Sequence, residues 1–179
     1  MEKQNIVVDE KYPGLVDDGW CFSLKGDLEA TGSISITLKK WLRVENCIKA
    51  GGGIKAGGGI EAGGGIEAGG GIEAGWGIKA GGGIKAGGGI EADSGIEAGW
   101  VIKAGGGIKA GGGIKAGEGI EAGEGIEAGL TILCKSLSAK FSIFAGICSW
   151  REVEPKDEVI QCDKLVSGKI AHGTLKIKP

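Results

Sequence analysis

Side chains able to perform chemistry are few in this chain. The single histidine, His172, stands in the stretch Lys-Ile-Ala-His-Gly-Thr. Imidazole exchanges protons readily near neutral pH, so His172 is the first candidate for a general base. A base needs a nucleophile held beside it, and no spacing pairs a cysteine with this one imidazole. His172 therefore reads as a surface residue. The cysteines at 21, 47, 134, 148 and 162 form an odd set without a C-x-x-C pair, which fits neither a zinc site nor a disulfide frame. They read as reduced thiols serving as small buried hydrophobes. Glycine strings of the form Gly-x-Gly-x-x-Ala imitate a dinucleotide-binding fingerprint, but they recur periodically and lack its strand-to-helix context. Gly168-Lys169 is followed by Ile170, so no phosphate-binding loop is completed. Regularly spaced Lys and Glu match solvated salt-bridge rows as well as they match acid–base pairs. The sequence thus assigns no catalytic residue, no metal ligand and no cofactor, and it points away from an enzyme.

What stands out instead is a set of departures from a repeat. Fifteen isoleucines follow one another at six-residue spacing from Ile48 to Ile132, in a tract that reads Ile-Lys/Glu-Ala-Gly-Gly-Gly. The middle glycine is replaced by Trp76, Ser94, Trp100, Glu118, Glu124 and Leu130, and Asp93 and Val101 also break the pattern. A tryptophan in a glycine corner has no neighbouring side chain to hide against, and exposed indoles are enriched in binding hot spots. Trp76, Trp100, Glu118 and Glu124 are therefore the candidate partner-binding residues.

These positions need a scaffold, and a short fixed period implies one small unit copied along an axis, each burying its apolar residue against neighbouring copies. In an extended Ile-Lys-Ala triplet, Ile and Ala point to one face and Lys to the other. Helix is disfavoured, because glycine costs roughly 1 kcal/mol per residue there and six is not a helical period. The glycines form corners, where positive φ or close backbone approach is tolerated without a Cβ. A bundle of extended polyglycine-type helices, packed like collagen, is the competing architecture.

Charge decides how many hexads close one coil, since like charges on stacked neighbours repel. Over residues 49 to 127, adjacent hexads carry opposite signs in 5 of 13 pairs, hexads two apart in 10 of 12, three apart in 9 of 11 and four apart in 4 of 10. The expectation is an all-β chain, a β-solenoid with 18-residue or alternatively 12-residue coils, capped at both ends by irregular β segments. An 18-residue coil is a triangular prism that places Trp76 and Trp100 on different corners; a 12-residue coil puts them on one face.

Composition divides the chain into an N-terminal cap (1–40), the glycine-rich hexapeptide-repeat solenoid (41–132), and a C-terminal cap with a β-hairpin (133–179). A faint repeat starts at Leu28-Glu29-Ala30, and the regular register is expected to run through Ile36, Leu42 and Ile48. With 40 glycines and 5% aromatic residues, any core must be thin. A formal net charge of -2 disfavours nucleic acid and anionic membrane as partners. No stretch resembles a signal peptide or a membrane span. The reading is a cytoplasmic protein, in the host cytoplasm if phage-encoded.

The IKAGGG and IEAGGG units resemble the hexapeptide-repeat left-handed β-helix family. Ile54 and Ile60 match its aliphatic position and Glu61 and Glu67 its second, whereas Lys55 and Gly58 depart from its pattern. The resemblance implies parallel coils. Enzymatic members of that family are acyltransferases with a histidine base between coils, and His172 lies outside the repeat. A non-catalytic protein-binding module is the expected function. Small repetitive proteins with reduced thiols and no targeting signal are also what phages and mobile elements encode against host defences, which makes an anti-CRISPR-like inhibitor the concrete version. A structural or self-assembling β-solenoid scaffold, with a homo-oligomer as partner, is the alternative, and a degenerate hexapeptide-repeat acyltransferase is the second. An ice-binding surface would call for outward threonines where this chain has Lys and Glu.

Overall fold

A computed structural model describes residues 3–178. Met1, Glu2 and Pro179, which the expected terminal ranges include, lie outside the described residues. The fold is a parallel β-solenoid of about 9 coils with an 18-residue repeat, and no helix occurs among the described residues. Each hexad contributes one short strand, typified by Ile66–Ala68 and Ile84–Ala86. Isoleucine and alanine point inward and the charged residue outward, as the period of two requires.

Strands pair with those three hexads away, in exact register. Ile48 stacks on Ile66 and Ile66 on Ile84 along face I. Ile54, Ile72 and Ile90 form the row of face II, and Leu42, Ile60, Ile78 and Ile96 that of face III. The triangular coil is thereby established over the 12-residue spiral and over the polyglycine bundle. Backbone groups are satisfied between coils: the Ile66 N–H donates to Gly83 O at 2.9 Å, while the Gly69 N–H reaches back to Ala50 O at 2.9 Å. The interior holds only isoleucine and alanine rows over most of the column, all nearly inaccessible to water. Each isoleucine contributes about 1.5–3 kcal/mol on burial, which offsets the ordering of a glycine-rich backbone.

The winding is longer than the hexapeptide tract. Toward the N-terminus it takes in Phe22, Leu28 and Ile34, which stack beneath Leu42, Ile48 and Ile54. Ile34, not Ile36, thus holds the rung position; Ile36 lies beside Ala56. The spacing from Ile34 to Leu42 is eight residues, so two extra residues are absorbed in the corner before Trp41. Leu15–Asp17 pairs antiparallel with Cys21–Leu24 and closes the N-terminal edge of face III.

At the other end, the expected hairpin is not formed. The ten-residue strand Ser136–Ala145 bends around a corner and serves faces I and II in succession. After an excursion through residues 146–158, Val159–Cys162 resumes face III, and Lys164–His172 and Thr174–Ile177 then add a further parallel rung. Its inward residues are Leu165, Ile170 and Leu175, stacked on Leu137, Ile143 and Ile160. From Ile160 these stand five residues apart rather than six. Shorter corners force the chain to turn more sharply, and here the corner glycines do enter the left-handed region, with φ of 107° at Gly168 and 106° at Gly173. Two strand-like segments separated by a turn suggest a hairpin; a change of period from six to five is the signal that identifies a rung.

Candidate binding surfaces

Corner geometry decides which side chains the column can display. No glycine of the hexapeptide tract has positive φ, so close approach alone accounts for these residues. In the first glycine position a Cβ would meet the carbonyl oxygen of the coil below at 2.1–2.2 Å, as at Gly69, Gly81, Gly87 and Gly105. No real side chain fits without displacing backbone. At the middle position the nearest atom stands at 3.1–3.2 Å, as at Gly70, Gly82, Gly88 and Gly112. This is tight but compatible with a small shift. The third position is no tighter, at 3.1–3.2 Å for Gly65, Gly71 and Gly83, and it holds Val101 and Thr131; the middle column carries most of the replacements, Trp76, Ser94, Trp100, Glu118, Glu124 and Leu130. Asp93 is a replacement at the crowded first position; its N–H reaches Ala74 O at 3.2 Å, longer than the 2.9–3.0 Å of Gly81 and Gly87 at the same place.

The candidate residues do not form one patch. Trp76 occupies the corner between faces II and III, Trp100 and Glu118 the corner between III and I, and Glu124 the corner between I and II. Only Trp100 and Glu118 are brought together: they are stacked in adjacent coils, with the Glu118 N–H donating to Trp100 O at 2.9 Å. Trp100 is 70% exposed. Glu118 is held by Lys135, whose Nζ lies 2.6 Å from its carboxylate, and that partner raises the Lys135 pKa above its ordinary value. The corner thus presents a free indole beside an oriented ion pair.

Two further tryptophans lie on or beside the edge that carries Trp76. The Trp150 indole, on the 146–158 excursion, donates from Nε1 to Gly111 O at 3.2 Å on the same corner as Trp76. Trp41 lies over Gly59 and close to Gly77 on the adjoining edge of face III. The excursion is anchored by Arg151, whose guanidinium lies 2.8 Å from the buried Asp157 carboxylate and holds that carboxyl below the usual carboxylate range. Trp150 stands outside the hexads, so only the fold places it beside the Trp76 corner.

The outward rows are ion ladders. Lys55–Glu73, Lys85–Glu67, Lys103–Glu121 and Lys115–Glu97 pair between coils at 2.9–3.3 Å. Two like-charge contacts interrupt them, Glu73 on Glu91 and Lys85 on Lys103. A shallow furrow follows face II, floored by glycines such as Gly71 and Gly89 and bordered by this Lys/Glu row. His172 is exposed and its Nδ1 donates to Ala145 O at 2.7 Å, which fixes its tautomer and tethers it to the preceding coil. All five cysteines are free thiols. Burial, with smaller contributions from Cys162 and Asp163, pushes the Cys134 thiol up to about 12, a packing role rather than a nucleophilic one. Among the described residues no group of three or more His, Cys, Asp or Glu is placed to hold a metal ion. No helix among them is long and apolar enough to cross a membrane.

Comparison with protein-family models, with curated proteins and with solved structures gives no match. The fold therefore defines the class by itself, a parallel β-solenoid with triangular coils.

Proposed function

We propose that this protein is a non-catalytic protein-binding module, a stiff column that presents a few side chains from its corners to a protein partner. The observation that carries this reading is Trp100, 70% exposed beside the Glu118–Lys135 pair at a position where glycine is the rule. A large indole kept in water gains nothing for the fold, whereas a rigid backbone holds it ready for contact at little further entropic cost. In its concrete form the module is a phage- or mobile-element-encoded inhibitor that occludes a host defence complex in the cytoplasm, in the manner of an anti-CRISPR. Kinship with the hexapeptide-repeat family belongs to the same proposal; it is supported by the six-residue unit and the parallel coil. One observation favours the scaffold alternative: among the described residues, Lys164–His172 and Thr174–Ile177 pair with no strand on their outer side. For the degenerate acyltransferase, only the exposed ring of His172 speaks.

The test is capture from native host-cell lysate on immobilised protein, with the retained proteins quantified by mass spectrometry. The Trp100→Gly variant should lower retention of the partner by about 30-fold, the scale of a hot-spot indole, and Trp76→Gly should have an effect of its own because it lies on another corner. Unchanged capture by both variants ends the reading.

A further inference from the structure

The final rung differs from those beneath it in both packing and charge. Its inward residues Leu165, Ile170 and Leu175 are only partly buried, whereas Leu137, Ile143 and Ile160 directly beneath them are 0% exposed. On their outer side Lys164–His172 and Thr174–Ile177 pair with no strand among the described residues. Such an edge offers unpaired N–H and C=O groups to any extended segment that fits. Residues 163–178 carry Lys164, Lys169, Lys176 and Lys178 against a single acid, Asp163, a net of +3 on a chain whose total is -2. Among the described residues none of these lysines has an ion pair, in contrast to the laddered lysines of the middle coils. The last rung is thus apolar inside, basic outside and open along its backbone.

We infer that this edge captures an acidic extended segment of a partner protein by parallel strand addition. Apolar residues of the incoming strand cover Leu165, Ile170 and Leu175, and its acidic residues lie against Lys164, Lys169 and Lys176, which stack on the uncharged Ser136, Ser142 and Gln161 below. A second copy fits less well. Tail-to-tail contact sets lysine against lysine. In head-to-tail contact Leu15–Asp17, running antiparallel on face III, occupies the place that Thr174–Ile177 would need. The inference rests on a different surface from the corner indoles and stands without them.

The test uses the full chain and two fluorescent twelve-residue peptides with isoleucine at every fifth position, one carrying glutamate and the other lysine among serines at the remaining positions. Anisotropy should show at least tenfold tighter binding of the acidic peptide. Hydrogen exchange should slow at amides in 164–177. Combined Lys164→Glu, Lys169→Glu and Lys176→Glu substitution should reverse the preference, while Trp76→Gly and Trp100→Gly should leave it intact. Equal or absent binding of the two peptides overturns the inference. So does acidic binding without protection of 164–177, which marks simple charge attraction, or binding lost in the tryptophan variants, which places the peptide on the corners. Concentration-dependent dimerisation in sedimentation, abolished by the three substitutions, assigns the edge to a second copy and likewise overturns it.

Discussion

Adjacent glycines of one corner are expected to differ sharply in what they tolerate. An added Cβ at Gly87 meets Gly69 O at 2.1 Å, while at Gly88 the nearest atom, the Gly71 nitrogen, is 3.1 Å away. Neither residue has positive φ, so the contrast isolates close packing from backbone strain. Gly87→Ala should destabilise by about 1–3 kcal/mol, the usual cost of overpacking, and Gly88→Ala by about 0.5 kcal/mol or less, as for an ordinary surface change. Denaturant unfolding of the two variants checks this, and equal losses would remove the proposed reason for displayed side chains occurring at the middle position rather than the first. The sequence showed where the replacements fall. It could not show why that column admits them, because the limiting contact is with a carbonyl eighteen residues away.

At the scale of the element, the outward rows make a prediction about sign. Lys79 stands between Glu61 and Glu97 on face III, so Lys79→Glu turns two favourable neighbours into repulsive ones. Lys85 stands between Glu67 and Lys103 on face I, so Lys85→Glu exchanges one like-charge contact for another. With each exposed neighbour worth about 0.2–1 kcal/mol, Lys79→Glu should destabilise by about 1 kcal/mol, and Lys85→Glu should be close to neutral. Added salt should shrink the Lys79→Glu loss, since screening weakens exposed charge contacts. Thermal unfolding at low and high ionic strength separates the two. The same rows made the coil partly legible beforehand: alternation two and three hexads apart excluded stacking of sequential hexads. It left 12 and 18 residues open, because a short series of two-letter charges satisfies both.

For the whole molecule, the repeat predicts that length matters less than phase. Deleting residues 54–71 removes one complete coil and leaves every later hexad on its own face. Deleting 54–56 removes a sixth as much but leaves Ile48 and Ile60 nine residues apart, so the later hexads meet the N-terminal strands half a hexad out of step. The larger deletion should retain a cooperative β-sheet transition near that of the parent, in keeping with nearest-neighbour stability in solenoids. The smaller should lower Tm by several degrees more. Circular dichroism melts of both decide the point, and the reverse order would refute phase as the stabilising variable.

The sequence by itself determined the strand, its inward Ile and Ala, its outward charge and the repetition of that unit, because these follow from local alternation and a fixed period. It also marked Trp76, Trp100, Glu118 and Glu124 as exceptional. Only the tertiary structure decided that the coil has three sides, that those four residues fall on three corners with only Trp100 and Glu118 in contact, and that Trp150 joins the Trp76 corner. It alone turned the expected C-terminal hairpin into a coil and a further rung with an open, lysine-lined edge. The physical reason is common to all of these: stacking joins residues about eighteen positions apart, and the residue types within one hexad carry no record of which distant hexad lies above them.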